Sequence, residues 1–196
     1  FLQDSNEPTI YTFTTTTINQ GVNKLFIPAN VVQDGAGNPN IESDIFNWNW
    51  DSTPPIVTIS SPDIANGGIT NNSSITLHFD TNEPVLDFTK SVLSITNGSI
   101  TNESLILVNS TRYKGTLLAN GSKVTVTTVP DRFTDLVGVN NVEGNIFSYT
   151  YDSTSPSVVL NCVTNGVSKG SFHDKVGISM ELGIDDLSLN LSESDL

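Results

Sequence analysis

Cysteine is almost missing from this 196-residue chain: Cys162 is the only one, so no internal disulfide can hold the fold. Basic residues are scarce as well, 8 against 21 acidic, leaving a net charge of −13. A surface that negative repels phosphate backbones and excludes nucleic acid as a partner. No apolar run approaches the roughly 18 residues that a membrane span needs, and no stretch carries a capped helical period. Histidine occurs twice, at His78 and His173, and neither stands beside a nucleophile or a ligand cluster in the sequence. His78, between the apolar Leu77 and Phe79 of an alternating run, is expected to face solvent, and His173 to lie in a loop. With no Ser-His-Asp order, glycine-rich phosphate loop or CxxC pair, catalysis has no foothold, and the chain is expected not to be an enzyme.

What is present is repetition. "IFNWNWDSTPP" (Ile45 to Pro55) returns 101 residues later, without a gap, as "IFSYTYDSTSP" (Ile146 to Pro156). Upstream, "VVQDGAGNPN" lies over "RFTDLVGVNN", with Asp34 on Asp135, Gly37 on Gly138 and Asn40 on Asn141. Phe46 falls on Phe147, and Trp48 and Trp50 fall on Tyr149 and Tyr151. Downstream, Val57, Ile59, Ile75, Leu77 and Phe79 fall on Val158, Leu160, Val176, Ile178 and Met180, and "FTKSVL" (Phe88 to Leu93) matches "LSESDL" (Leu191 to Leu196). A period near 100 is too long for a solenoid and suits tandem β-domains. Residues 53–152 then form one complete repeat. Residues 1–52 are the C-terminal half of a repeat, and 153–196 the N-terminal half of another.

Within the complete repeat the apolar period is two. Strands are expected at 56–60, 74–80, 85–88, 91–96, 104–109, 112–119, 123–129 and 145–151, all rich in Val, Ile, Thr, Tyr and Phe. Between several of them stand "ANGG", "TNNS", "TNGS", "ANGS" and "VEGN", where Gly and Asn supply the positive φ of tight turns. Seven or eight short strands in about 100 residues make an all-β, Ig-like β-sandwich, here without a disulfide core. Packing must come instead from positions such as Phe147, Tyr149 and Tyr151, each ring contributing roughly 1.5–3 kcal/mol on burial.

"DSTPP" and "DSTSP" opening a repeat, "SITLHFDTNEPVLDFTKSVLSITNGSI" in its middle and "QDGAGNPN" before its last strand resemble the bacterial Ig-like tandem repeats of large extracellular surface and adhesin-type proteins. The likeness spans nearly the whole chain and implies a structural role rather than an activity. One departure is Val139, where the pattern has Asn; a looser Asx turn is expected there.

Junctions between repeats are short. Trp50, Asp51, Pro54 and Pro55 form the first, and Tyr151, Asp152 and Pro156 the second. Prolines fix φ and favour extended backbone, so neighbouring sandwiches should stand as a stiff row. The two end pieces together amount to nearly one repeat. Either the chain is a window on a longer array, or the tail of one copy and the head of the next complete a sandwich between them, in the manner of donor-strand pairing. Such a contact is heterologous and propagates as a filament. The expected function is therefore that of a structural fibre or filament, extracellular or on the cell surface, with copies of itself as head-to-tail partners. The alternative is an adhesin-type module recognising a cell-surface or glycan ligand through loops 65–74 or 97–102, with Tyr113 its one exposed aromatic anchor.

No cofactor is expected. Asp34, Asp51, Asp135 and Asp152 recur at fixed repeat positions and are the candidate calcium ligands, since calcium takes several oxygens. The spacing of an EF-hand is missing, however, and an Asp before a turn more often accepts its own backbone N–H, so calcium is disfavoured. N-glycan acceptors are Asn71, Asn72, Asn97, Asn102, Asn109, Asn120 and Asn190, each with Ser or Thr two places on. "TFTTTT" (Thr12 to Thr17) reads as a strand with outward threonines, to which O-linked sugar could attach.

Overall fold

A computed structural model describes residues 2–3, 9–16, 19–165, 168–170 and 179–185. His173, Val176, Ile178, Asn190 and the 191–196 match lie outside them. The regular structure of the described residues is almost all β-strand, and among these residues no helix is long and apolar enough to cross a membrane.

The head holds two short hairpins. β1 (Leu2–Gln3) pairs with β2 (Tyr11–Thr12), and β3 (Gly21–Leu25) with β4 (Phe46–Trp50), all antiparallel. Of the "TFTTTT" run only Thr12 lies in a strand; residues 13–16 make no ladder and Thr17 lies outside the described residues, so the expected threonine strand is not formed.

The complete repeat holds β5 (Val57–Ser60), β6 (Ile69–Thr70), β7 (Ser74–Thr81), β8 (Val85–Leu86), β9 (Leu93–Thr96), β10 (Gly98–Ile100), β11 (Ile106–Asn109), β12 (Arg112–Ala119), β13 (Lys123–Thr128), β14 (Thr134–Asp135) and β15 (Phe147–Tyr151). One sheet runs β10-β12-β7-β5, with β11 sharing the same edge of β12; a second runs β6-β15-β13-β9. All these pairings are antiparallel except β6 with β15, which is parallel. A small pair, β8 with β14, lies beside them.

The period-two pattern explains the core. In β7, Ile75, Leu77, Phe79 and Thr81 are buried while their neighbours are half-buried or exposed; Val124, Val126 and Thr128 of β13 repeat this. Both sheets feed one cluster: Val57, Ile59, Leu77, Phe79, Ile100 and Leu117 from the first, Val124, Val126, Phe147 and Tyr149 from the second. One end is closed by Phe88, whose ring meets Phe133 edge-on at 5.3 Å and Tyr113 at 4.5 Å. Tyr113 is therefore a packed core-edge ring and not the exposed anchor expected of it.

Three strands escape the sequence reading: β6, β10 and β14. The 97–102 stretch, read as a loop, contains β10, and Ile100 is fully buried. Asn97, at φ +55, supplies the sharp entry that lets Gly98 pair with Ala119.

In the tail, β16 (Val158–Cys162) pairs with β17 (Met180–Ile184). Val57 faces Thr81 in the complete repeat, whereas its counterpart Val158 faces Ile184. The tail connection is thus two residues longer, and Met180 and Leu182 take the places of Leu77 and Phe79; Met180 does not stand on Phe79. An even slip keeps every side chain on its face, which is why the pattern conceals it. The "FTKSVL" and "LSESDL" match already stands at this larger offset.

Candidate functional site

The first junction gathers three carboxylates from three segments. Asp51 follows β4, Glu83 sits between β7 and β8, and Asp135 ends β14, which β8 holds through the Asp135–Val85 pair. Their oxygens lie within 4.8 Å of one another.

Asp135 is fixed by its own turn. Its Oδ1 accepts from Val137 N at 2.9 Å and Val139 N at 2.8 Å, and its N–H donates to Val139 O. Gly138, at φ +91, turns the chain. Asp34 makes the same turn, with Oδ1 accepting from Ala36 N and Asn38 N, but there Asn38 Nδ2 also donates to Oδ2 at 2.9 Å. Val139 has no such donor. The turn at Asp135 is consequently no looser, because its hydrogen bonds use backbone N–H groups. What the substitution changes is the other oxygen: Asp135 is only 2% exposed, and its Oδ2 has no hydrogen-bond partner.

Asp51 accepts from Thr53 N at 3.0 Å and from Gln20 Nε2, while Gln20 Oε1 accepts from Ser52 N. These donors, Thr53 N first, hold the Asp51 carboxyl below its ordinary range. Asn82 ties the linker to the sandwich: its Oδ1 accepts from Ile56 N at 2.7 Å and its Nδ2 donates to Pro54 O. Glu83 is pushed up, first by burial and then by the negative charges of Asp51 and Asp135, with the Asn82 amide opposing weakly. Among the described residues the only ion pair is Arg112 with Asp80, so none of their lysines or arginines pairs with the cluster.

Of the four candidate aspartates, the structure brings Asp51 and Asp135 together. Asp34 stands exposed in its turn, and Asp152 repeats the Asp51 turn onto Thr154 N at 2.8 Å; neither belongs to the three-carboxylate cluster. Each of the four accepts its own downstream N–H, as expected. Glu83 was missed because it has no acidic counterpart at the offset of 101, where Ile184 stands. At 103 its counterpart is Asp186, outside the described residues.

Pro55 is buried, with its O accepting from Val142 N, so it belongs to the sandwich more than to a linker; Pro54 is half-buried, and Pro156 is exposed. Trp50 is exposed and Tyr151 half-buried. Asn71, Asn72, Asn97, Asn109 and Asn120 are all exposed, though Asn97 Nδ2 donates to Lys123 O at 2.8 Å. Asn102 lies in a 3₁₀ turn. His78 is half-buried in mid-strand between Ser60 and Lys114, and Cys162 is a half-buried free thiol.

Comparison with protein-family models, with curated proteins and with solved structures finds no match to the chain.

Proposed function

We propose that the chain is a structural element of an extracellular or cell-surface fibre, built from Ig-like sandwiches standing head to tail, and that its two half-domains complete one another between neighbouring copies. One observation carries this reading: the two ends expose complementary halves of one core. Phe147 is 1% exposed in the complete repeat, but its head counterpart Phe46 is 66% exposed; Ile59 is 2% exposed, but its tail counterpart Leu160 is 58% exposed. The head carries the β13–β15 hairpin in the same register, Val22 facing Asn49 as Lys123 faces Thr150. The tail carries the β5–β7 pair. Each supplies strands that the other lacks, though neither holds a counterpart of β10.

The strand order supports the Ig-like assignment. An antiparallel A-B-E-D sheet and a C-F-G sheet correspond to β5-β7-β12-β10 and β9-β13-β15, with β6 crossing to the second sheet. Exposed acceptor asparagines fit a sugar-coated surface.

Sedimentation velocity and electron microscopy of the purified chain test the proposal. The wild type should form threads that lengthen with concentration. Phe46→Asp and Leu160→Asp should each be monomeric alone, and an equimolar mixture should stop at dimers, since each retains one intact end. A wild type that stays monomeric at about 100 μM, above the range of ordinary specific contacts, would remove intermolecular completion.

A further inference from the structure

We infer that Asp51, Glu83 and Asp135 bind a hard divalent cation of the calcium class, and that the ion clamps the inter-repeat linker onto the sandwich. Three carboxylates whose oxygens approach within 4.8 Å repel one another when ionised, and no lysine or arginine among the described residues pairs with them. The position of Asp135 makes this more than a surface cluster. Its Oδ1 is spent on the turn and its Oδ2 is buried and unpartnered, while its carboxylate stands within 4.8 Å of those of Asp51 and Glu83. A buried acceptor left without a donor costs free energy that a bound cation would recover. At Asp34, by contrast, the Asn38 amide already satisfies the same oxygen.

The donor set points to the class of ion. All three ligands are carboxylate oxygens, with no histidine or cysteine, which disfavours zinc and copper. The ligands come from three separate segments rather than from one preformed octahedral frame. Calcium, with 6–8 oxygens in flexible geometry, tolerates this better than magnesium, and water completes its shell. Asp51 hangs on the linker and is braced by Gln20 of the head, whereas Glu83 and Asp135 flank the β8–β14 pair. An ion between them ties head, linker and sandwich at one point. The site is intramolecular, so its occupancy is independent of whether copies assemble.

Terbium luminescence and calorimetry with calcium chloride, on the full chain stripped with chelator, test the inference; Trp50, next to Asp51, is the terbium sensitiser. We expect one saturable site with affinity in the range of extracellular modules, on the order of 10⁻⁴–10⁻³ M or tighter, and weaker binding of magnesium. Glu83→Gln and Asp135→Asn should each weaken calcium about tenfold or more, by removing one of three charges. Asparagine keeps the Oδ1 that the turn requires, and Asp34→Asn should bind as the wild type does. Thermal unfolding supplies a second reading: in chelator Glu83→Gln should melt at or above the wild type, and in millimolar-range calcium below it. Absence of saturable binding, wild-type affinity in both site variants, or equal loss in Asp34→Asn would overturn the inference.

Discussion

Asn141 shows how much one side chain can hold in a β-domain without a disulfide. It is buried, its Oδ1 accepts from Arg132 N and Phe133 N, and its Nδ2 donates to Val129 O and Val142 O. Asn40 makes the same four bonds, to Val31, Val32, Pro28 and Ile41, under thinner cover. The recurrence was visible in the sequence, but the role was not, since a repeated Asn reads equally well as a turn residue. Asn141→Ala leaves two N–H and two C=O groups without partners and should cost about 3 kcal/mol in chemical denaturation; Asn40→Ala should cost less. Tyr149 has the opposite problem. Its hydroxyl is buried without a partner, and burial first, with Tyr151 second, pushes its pKa above the ordinary value of 10. The native state therefore keeps a proton that the unfolded chain loses, so stability falls as pH rises from 10 through the folded value. Tyr149→Phe should add about 1 kcal/mol at neutral pH, by removing the orphan hydroxyl, and should flatten the alkaline decline. Melting temperatures at pH 7 and above 10 check both.

At the scale of the element, legibility followed side-chain alternation. β12 ends where the sequence placed it, from Arg112 to Ala119, because an eight-residue run with clear alternation admits one register. β6, β10 and β14 were lost because two or three residues cannot display a period; their pairing is set by neighbours such as Thr150, Leu117 and Val85. The acidic junction failed for a related reason. Glu83 becomes a partner of Asp51 and Asp135 only once β7 and β8 are folded, and no spacing in the chain announces it. Closure between β5 and the loop before β15 is likewise tertiary: Asn145 brackets Ile59 with two hydrogen bonds, and a Cβ on Gly144 would lie 2.3 Å from Val57 O. Gly144→Ala should force β5 outward and lower stability by about 3 kcal/mol, with faster amide exchange at Ile59 than at Leu117. The head has Ser43 at this position. A tail strand docked there must lie farther out than β5 does.

For the whole molecule, charge and apolar seam act against each other. Residues 1–52 hold six acidic side chains against one basic, and residues 153–196 six against two, so the two ends that would meet repel. In the proposed assembly, what would draw them together is burial of positions such as Phe46, Val158 and Leu160, all more than half exposed in the single chain. Repulsion between exposed charges is screened over about 10 Å at 0.1 M salt and about 3 Å at 1 M, whereas apolar burial is not weakened by salt. End-to-end association should therefore strengthen as sodium chloride rises from roughly 0.01 M toward 1 M, and sulfate should strengthen it further at equal ionic strength. Chelator keeps the junction cation out of the comparison. Weight-average mass by sedimentation equilibrium reads the result. If salt instead dissolved the threads, ion pairs between copies would be holding them, and the exposed seams would not be the contact.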